Sequence, residues 1–193
     1  MKVTKAQVQE NRTRIVETAA ALFRERGYDG VGVAELMAAA GFTHGGFYKH
    51  FRSKADLMAE TAASGISKRV ANSDGLDLAA FVANYLSREH RDGRGAGCTM
   101  AALCGDASRQ SEDIKAKFAG GIESSLAALK HVDATAGEFK KKEVRAKMID
   151  TFAHTIGALV LSRACPDDSP LADEILKVCR KQILASLRPK KEG

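Results

Sequence analysis

The sequence predicts an all-α protein, and three observations support this prediction. Apolar residues recur at helical spacing, on one face of each segment, through almost the whole chain. No segment shows the alternation of apolar and polar residues that is typical of a half-buried strand. Glycine or proline interrupts the pattern about every ten to twenty residues, as expected for helices joined by short turns.

The first predicted helix ends at Gly27 and the second ends at Gly41, because glycine is the preferred residue just past a helix C-terminus. Each of these helices has one apolar face with the spacing of three or four residues that a helical surface produces. The two faces contain Ile15, Ala19, Leu22 and Phe23 in the first helix, and Val33, Leu36, Met37 and Ala40 in the second.

Two further helix starts follow the second glycine. Thr43 is a suitable N-cap for a third, short helix that ends near Phe51. Ser53, with Asp56 three residues later, has the pattern of a capping box and starts a fourth helix.

Beyond about residue 65 the predicted helices are longer. Ser111 is a suitable cap for one of them, and the apolar pattern supports another over residues 138–164. Ser169 followed by Pro170 has the cap-then-proline pattern that starts a last helix. The chain is therefore expected to contain a small three-helix domain and a larger helical domain. These domains are residues 1–55 and residues 56–193.

Composition excludes several classes of function. No apolar run approaches the roughly 18 residues that a membrane span needs, and the N-terminal MKVTKAQVQENRTR lacks the apolar core of a secretory signal. We therefore expect a cytoplasmic protein without membrane contact. The four cysteines have no CxxC spacing and no histidine at a zinc-finger interval, which predicts free thiols and no metal site.

The excess of positive charge is concentrated near the N-terminus. The formal net charge of the chain is +6, and residues 1–58 hold nine Lys/Arg against six Asp/Glu, a surplus of three. Half of the excess therefore lies in less than a third of the chain. This favours a polyanionic partner without identifying one.

The stretch THGGFYKHF, residues 43–51, contains two glycines in the first turn of the third predicted helix. Each glycine inside a helix costs about 1 kcal/mol relative to alanine, so the pair needs a reason. Two short helices joined by a turn with glycine have the form of a helix-turn-helix, whose second helix enters the DNA major groove. Without side chains at Gly45 and Gly46, the backbone of that helix can approach DNA closely.

Spacing divides the other side chains of this helix into an inner and an outer face. Phe47 and Phe51, four residues apart, are expected to pack on Leu36 and Ile15. A hydroxyl on the outer face suits a phosphate oxygen, and basic side chains there can reach base edges or phosphates. The outward-facing side chains are His44, Tyr48 and Lys49.

The segment GYDGVGVAELMAAAGFTHGGFYKHFRSKADL resembles the N-terminal DNA-binding domain of the TetR family of bacterial transcriptional repressors, over roughly residues 12–60. The resemblance rests on a glycine-aromatic end to the first helix and on the series Ala40, Gly41, Phe42, Thr43, Gly45, Phe47, Tyr48, His50, Phe51, Ser53 and Lys54. It implies base and phosphate contacts from Thr43, His44, Gly46, Tyr48, Lys49 and His50. It also implies a phosphate contact from Lys54. Gly32 departs from the family, which usually has a capping Ser or Thr at this position.

The resemblance further implies that the rest of the chain is a helical ligand-binding and dimerisation domain. Such domains dimerise through their last two long helices, and a homodimer suits a palindromic operator on double-stranded DNA. Two apolar stripes agree with this, although the core of a single chain has the same pattern. The stripes contain Phe152, Ile156, Leu159, Val160 and Arg163 in residues 138–164, and Leu171, Ile175, Val178, Cys179, Ile183 and Leu187 in residues 171–187.

We expect a small-molecule effector to bind among the middle helices. The expected lining is mostly apolar or small, which favours a hydrophobic or a reactive effector. These residues are Phe81, Tyr85, Met100, Cys104, Phe118 and Ile122. Arg109 could favour a thiolate at Cys98 or Cys104 and so create a sensor of electrophiles or oxidants. The alternative is that both cysteines pack as alanine does.

These observations predict a sequence-specific DNA-binding transcriptional regulator, a repressor that its effector releases from the operator. An enzyme of helical fold is the first alternative, but the chain contains no GxSxG, HExxH or Walker lysine loop. We therefore expect no enzymatic activity and no cofactor. A non-specific architectural DNA binder is the second alternative, and the modest net charge argues against it.

Overall fold

The computed structural model describes residues 4–73, 77–130 and 138–187, and within these ranges the chain is helical without strands, which confirms the predicted all-α class. The α-helices of these ranges are α1 (Lys5–Arg26), α2 (Val33–Ala39), α3 (Lys54–Ser73), α4 (Leu78–Tyr85), α5 (Arg88–Asp92), α6 (Thr99–Ala107), α7 (Glu112–Lys130), α8 (Glu138–Ala164) and α9 (Pro170–Leu187). A 3₁₀ helix, His44–Lys49, lies between α2 and α3 and is called the 3₁₀ segment below. No helix of the described ranges is long and apolar enough to cross a membrane.

Side-chain caps fix where two of the N-terminal helices begin. Thr4 Oγ1 accepts a hydrogen bond of 3.2 Å from the Gln7 N–H at the start of α1. Ser53 Oγ accepts one of 3.1 Å from the Asp56 N–H, as the sequence predicts for α3. Asp56 in turn accepts from the Arg52 N–H at 3.2 Å, one residue before the position a capping box uses. These acceptors satisfy backbone N–H groups that have no partner within the helix.

The turn after α2 is a glycine C-cap. Gly41 has a φ of 81°, in the left-handed region that favours glycine. Its N–H donates to the Ala38 carbonyl at 3.0 Å, and the Phe42 N–H donates to the Met37 carbonyl at 2.8 Å. This pair of bonds is a Schellman motif, so α2 ends where the sequence predicts.

The third predicted helix is a 3₁₀ helix rather than an α-helix. The Gly46 N–H donates to the Thr43 carbonyl and the His50 N–H donates to the Phe47 carbonyl, both at 2.9 Å and both three residues back. Thr43 has the extended backbone of an N-cap, but its side chain makes no cap hydrogen bond. Two adjacent glycines weaken an α-helix, and 3₁₀ geometry is common in pieces this short.

Contacts between Cα atoms divide the chain into two compact units. The first runs to Lys68 and resumes over Arg94–Gly121, and the second comprises Arg69–Gly93 and the described residues from Ile122 onward. Helix α6 therefore belongs to the first unit, where it packs on α1. The predicted boundary between residues 55 and 56 separates a DNA-binding domain from a regulatory domain, whereas the two units are defined by contacts alone. The predicted boundary therefore stays a prediction.

The first unit buries the predicted inner faces of α1 and α2. Full burial of side chains as large as Phe23 and Leu36 stabilises the fold by about 1.5–3 kcal/mol each. On α7, a Cβ at Gly121 would lie 2.6 Å from Ile66 Cδ1 and 2.8 Å from Met100 Cε. The absence of a side chain at Gly121 therefore lets α7 approach these side chains of α3 and α6 closely, and a larger residue would require Ile66 and Met100 to move.

In the second unit, α8 packs on α9 and α5, and α4 packs on α9. Arg91 of α5 is only 1% exposed. Its Nε donates to the Ser162 carbonyl at 3.2 Å and to Ser162 Oγ at 3.1 Å, and its Nη2 donates to the Cys165 carbonyl at 3.2 Å. Ser162 Oγ donates to the Ala172 carbonyl at 2.8 Å, which connects α8 to α9. Arg91 thus supplies donors to carbonyls at the end of α8.

Candidate nucleic-acid interface

The 3₁₀ segment has the inner and outer faces that the sequence predicts. Phe47 and Phe51 are 0% and 2% exposed, and their ring centroids are 5.4 Å apart. Tyr48 is 67% exposed, and His44 and Lys49 are also exposed. The rings of His44 and Tyr48 lie 6.3 Å apart. The 3₁₀ segment and the adjacent Phe51 therefore bury their phenylalanine rings, while the segment presents polar side chains to solvent.

The packing of the protein itself does not require glycine at Gly45 or Gly46. Neither residue has a positive φ, and a Cβ at Gly45 would meet no atom within 4 Å. A Cβ at Gly46 would lie 3.6 Å from Met37 Cε and 3.7 Å from Thr43 Oγ1, which are ordinary contact distances. The fold accommodates alanine at both positions, so the reason for glycine is to be sought in what approaches this surface.

Arg12 of α1 holds the end of the 3₁₀ segment in place. Its Nη1 donates to the His50 carbonyl, its Nε donates to Glu60 Oε1 at 3.2 Å, and its Nη2 forms an ion pair with the same carboxylate. The guanidinium carbon lies 4.3 Å from the centroid of the Phe51 ring. Sequence reasoning missed Arg12, because its partners are 38 and 48 residues away and no local pattern connects them.

His50 is half-buried, and its ring centroid lies 6.4 Å from that of Phe42. Burial, and then the positive charges of Arg12 and Lys49, lower the pKa of His50 below its ordinary value. The imidazole is therefore neutral at pH 7 and contributes hydrogen bonds rather than charge.

Lys54 is half-buried at the start of α3. Its Nζ donates to the Tyr28 carbonyl at 2.5 Å and lies 6.0 Å from the centroid of the Phe23 ring. The ammonium group has three N–H donors, so this bond leaves two for another partner. The phosphate contact implied for Lys54 stays a prediction.

The six residues expected to line an effector pocket are divided between the two units. The first unit holds Met100, Cys104 and Phe118, and the second holds Phe81, Tyr85 and Ile122. Within the first unit, Cys104 Sγ lies 3.8 Å from Met100 Sδ. Within the second, the rings of Phe81 and Tyr85 are 5.5 Å apart, and Ile122 is 36% exposed. A pocket formed by all six stays a prediction.

The surroundings of Cys104 do not favour a thiolate. Burial, and secondly the nearby Cys98, raise the pKa of the Cys104 thiol to about 11. Arg109 forms an ion pair with Asp106 instead, with 2.9 Å between Nη2 of Arg109 and Oδ1 of Asp106. Cys104 is therefore a protonated thiol at neutral pH, and Arg109 does not activate it.

The N-terminal residues that form this surface are also the ones whose sequence resembles known proteins. Residues 15–61 match the sequence profile of the family described as bacterial regulatory proteins, tetR family. This N-terminal stretch is that of a TetR-family regulator. It is 40% identical over 57 residues to the HTH-type transcriptional regulator AcrR of Shigella flexneri, and 40% identical over 55 residues to the HTH-type transcriptional regulator TtgR of Pseudomonas putida. These matches cover 30% and 28% of this chain but only 26% of each relative.

Solved structures of the TetR family share the fold along most of the chain. The reduced form of NemR from E. coli has a TM-score of 0.74 at 19% identity, over 90% of this chain and 95% of that one. A TetR transcriptional regulator from Chloroflexus aurantiacus has a TM-score of 0.73 at 22% identity, over 94% and 96%. At these identities the likeness concerns the fold alone. The N-terminal part of the chain thus resembles the known regulators in sequence, whereas the remainder resembles the solved structures in fold only.

Proposed function

We propose that this TetR-family chain is a DNA-binding transcriptional repressor that recognises a specific operator and is not an enzyme. The observation that carries the proposal is the 3₁₀ segment, with buried Phe47, exposed His44, Tyr48 and Lys49, and open space over Gly45, together with the buried Phe51 that follows it. Polar side chains held on a rigid short helix, beside a backbone free of side chains, suit contact with the floor and walls of a major groove.

The exposed groups divide into two roles in this proposal. Tyr48 and Thr43 carry hydroxyls for phosphate oxygens, which fix the register on the duplex without reading sequence. His44 and Lys49 have the reach and the donors for base edges. Neutral His50 adds a hydrogen bond at the end of the segment, which Arg12 holds in position.

We further propose that the operator is palindromic and that the chain binds it as a homodimer through α8 and α9. Five large apolar side chains of these helices are 42–60% exposed in the single chain. They are Ile149, Val160, Leu161, Leu171 and Val178. An interface that buries them through a two-fold axis would place two copies of the 3₁₀ segment for two half-sites.

The effector of the proposed repressor is a small hydrophobic molecule rather than an electrophile. The raised pKa of Cys104 and the engagement of Arg109 by Asp106 argue against a reactive thiol as the sensor. Release of DNA requires only that the effector bind the DNA-free form more tightly, and the coupling is then equal in both directions.

Operator binding tests the proposal directly. DNA from upstream of the chain's own gene is titrated with the protein, and fluorescence anisotropy measures affinity. Lys49→Ala is expected to weaken binding by about 1–3 kcal/mol at the operator, and Tyr48→Phe to weaken all sequences alike. Lys68→Ala, which removes an exposed positive charge that pairs with Glu17, is the control. If the Lys49→Ala, Tyr48→Phe double variant binds like the wild type with unchanged thermal stability, the DNA surface is assigned wrongly.

The same assay tests the effector. A panel of apolar compounds and mild electrophiles is added to three separate protein–DNA complexes. The protein in these complexes is the wild type, Cys98→Ala or Cys104→Ala. We expect release by a non-reactive compound, equally in all three proteins. Electrophile-triggered release that is lost in Cys104→Ala would restore the thiol sensor in place of the hydrophobic effector.

A further inference from the structure

A cavity of about 380 Å³ lies beside the 3₁₀ segment, within the first unit. The N-terminal part of α1, the turn after α2 and the segment itself form its walls. This volume falls within the range of about 300–1,000 Å³ that small-molecule sites span. None of the residues assigned to the effector pocket lines it.

The inner walls of the cavity are apolar. Met37 is fully buried and forms part of the floor, with its Cε 3.6 Å from where a Cβ of Gly46 would lie. Phe42 forms a second wall, and Val8, which is 43% exposed, contributes at the α1 side. The missing side chain of Gly46 keeps this space open. A flat hydrocarbon group therefore finds aliphatic and aromatic contacts here.

The polar lining is positively charged. Lys49 is the cation among the residues that line the cavity, and the same described set includes no carboxylate. Arg14 lies just outside, with its guanidinium carbon 4.4 Å from the centroid of the Phe42 ring. Asn11 adds an amide donor. The nearby Glu60 is already paired with Arg12.

From this combination we propose that the cavity binds a compact aromatic carboxylate, with its ring against Val8, Met37 and Phe42 and its anionic group toward Lys49. Burying the ring supplies binding free energy in proportion to the apolar area covered. Hydrogen bonds from the Lys49 ammonium group and the Asn11 amide replace those that the carboxylate loses to water on binding. The proposal does not depend on DNA binding.

A consequence does rest on the proposed function. Thr43, Gly46, Lys49 and His50 line the cavity and also belong to the proposed DNA surface. Carboxylate and operator then compete for the same atoms, so each excludes the other. A ligand that competes directly with DNA differs from an effector that binds in a separate pocket. Saturating DNA abolishes binding of the competing ligand, whereas it only weakens binding of the effector by a fixed factor.

Isothermal titration calorimetry with naphthoate, in the absence of DNA, tests the site itself. Val8→Trp fills the α1 side of the cavity at an exposed position, and Gln9→Trp, one residue further and also exposed, is the matched control. We expect the first variant to lose at least about tenfold in affinity, a difference of about 1.4 kcal/mol, and the control to keep wild-type affinity. Lys49→Met should weaken naphthoate but not the uncharged naphthylmethanol.

Three results would overturn the proposal. They are no naphthoate binding at millimolar concentration, equal binding by wild type and Val8→Trp, and equal affinity for naphthoate and naphthylmethanol. Failure of the operator assay alone would remove the competition and leave the calorimetric result unaffected. If DNA binds but naphthoate does not, and Val8→Trp weakens DNA binding, the cavity receives the DNA backbone and the carboxylate site is refuted.

Discussion

The backbone N–H of Tyr28 donates a hydrogen bond of 2.8 Å to Oδ2 of Asp106, so that α6 closes the C-terminal end of α1. Gly27, which precedes Tyr28, has a φ of 75°, and a Cβ there would lie 2.6 Å from the same oxygen. The Tyr28 carbonyl accepts from Lys54 at the start of α3. One peptide segment thus connects α6 with the helix that directly follows the 3₁₀ segment.

Removing the Asp106 carboxylate should destabilise the protein. Tyr28 is 0% exposed, so its N–H has no ready replacement for the lost acceptor. We expect Asp106→Ala to lower the free energy of unfolding by about 1–3 kcal/mol, measured by urea denaturation. Arg109→Ala removes the exposed partner of the same carboxylate and should have a much smaller effect. Equal losses in the two variants would show that the bond to Tyr28 contributes little.

Alanine at Gly45 should separate stability from DNA binding. The position is exposed, has no neighbour within 4 Å of an added Cβ, and has no positive φ. Gly45→Ala is therefore expected to raise the free energy of unfolding by up to about 1 kcal/mol while it weakens operator binding. Gly105→Ala, at an exposed and equally open position of α6, is the control that should gain stability and keep operator affinity. Unchanged operator affinity in Gly45→Ala would contradict the proposed close approach of the backbone.

The dimer proposal requires a test at exposed residues of α8. Leu159, on the predicted stripe, is 0% exposed and belongs to the core of the single chain, whereas Leu161 is 60% exposed. Leu161→Glu should give a folded monomer in sedimentation velocity, because the charge would be buried in the interface. Leu159→Glu should instead unfold the chain, which circular dichroism detects. A dimer that persists in both Leu161→Glu and Val178→Glu would place the interface elsewhere.

His90 should make stability depend on pH. Its Nδ1 donates to the Tyr85 carbonyl at 2.7 Å, and its buried Nε2 has no hydrogen-bond partner. Burial chiefly, with the charges of Arg69 and Arg163, lowers the pKa of His90 to about 4. The folded state therefore binds this proton less readily than the unfolded state, whose pKa is about 6.5. The stabilisation is complete above about pH 6.5 and is lost as the pH falls toward 4.

Comparison of two proteins isolates this contribution. Between about pH 7 and pH 4, wild type should lose on the order of 2 kcal/mol more unfolding free energy than His90→Gln, after allowance for partial solvent screening. Glutamine keeps an N–H donor for the Tyr85 carbonyl but does not titrate. The carboxylates titrate in both proteins and cancel in the difference. Parallel pH profiles of the two proteins would contradict the lowered pKa.

Local physical chemistry made much of this protein predictable from its sequence. Glycine after a helix, a hydroxyl before one and apolar spacing of three or four act within a few residues. They predict the ends of α1 and α2, the start of α3 and the burial of Phe47 and Phe51. The outward direction of His44, Tyr48 and Lys49 follows from the same spacing.

Only the tertiary structure decided the features that depend on residues far apart in the chain. The bonds of Arg12 to the end of the 3₁₀ segment and to α3 span 38 and 48 residues, and that between Tyr28 and Asp106 spans 78. The predicted stripe of α8 contains both Leu159 and Val160, yet Leu159 is 0% exposed and Val160 is 42% exposed, because the packing of α9 and α5 on α8 determines which of them is buried. The cavity beside the 3₁₀ segment likewise requires α1 to lie against the turn after α2. Such contacts arise from packing in three dimensions and leave no periodic pattern in a single sequence.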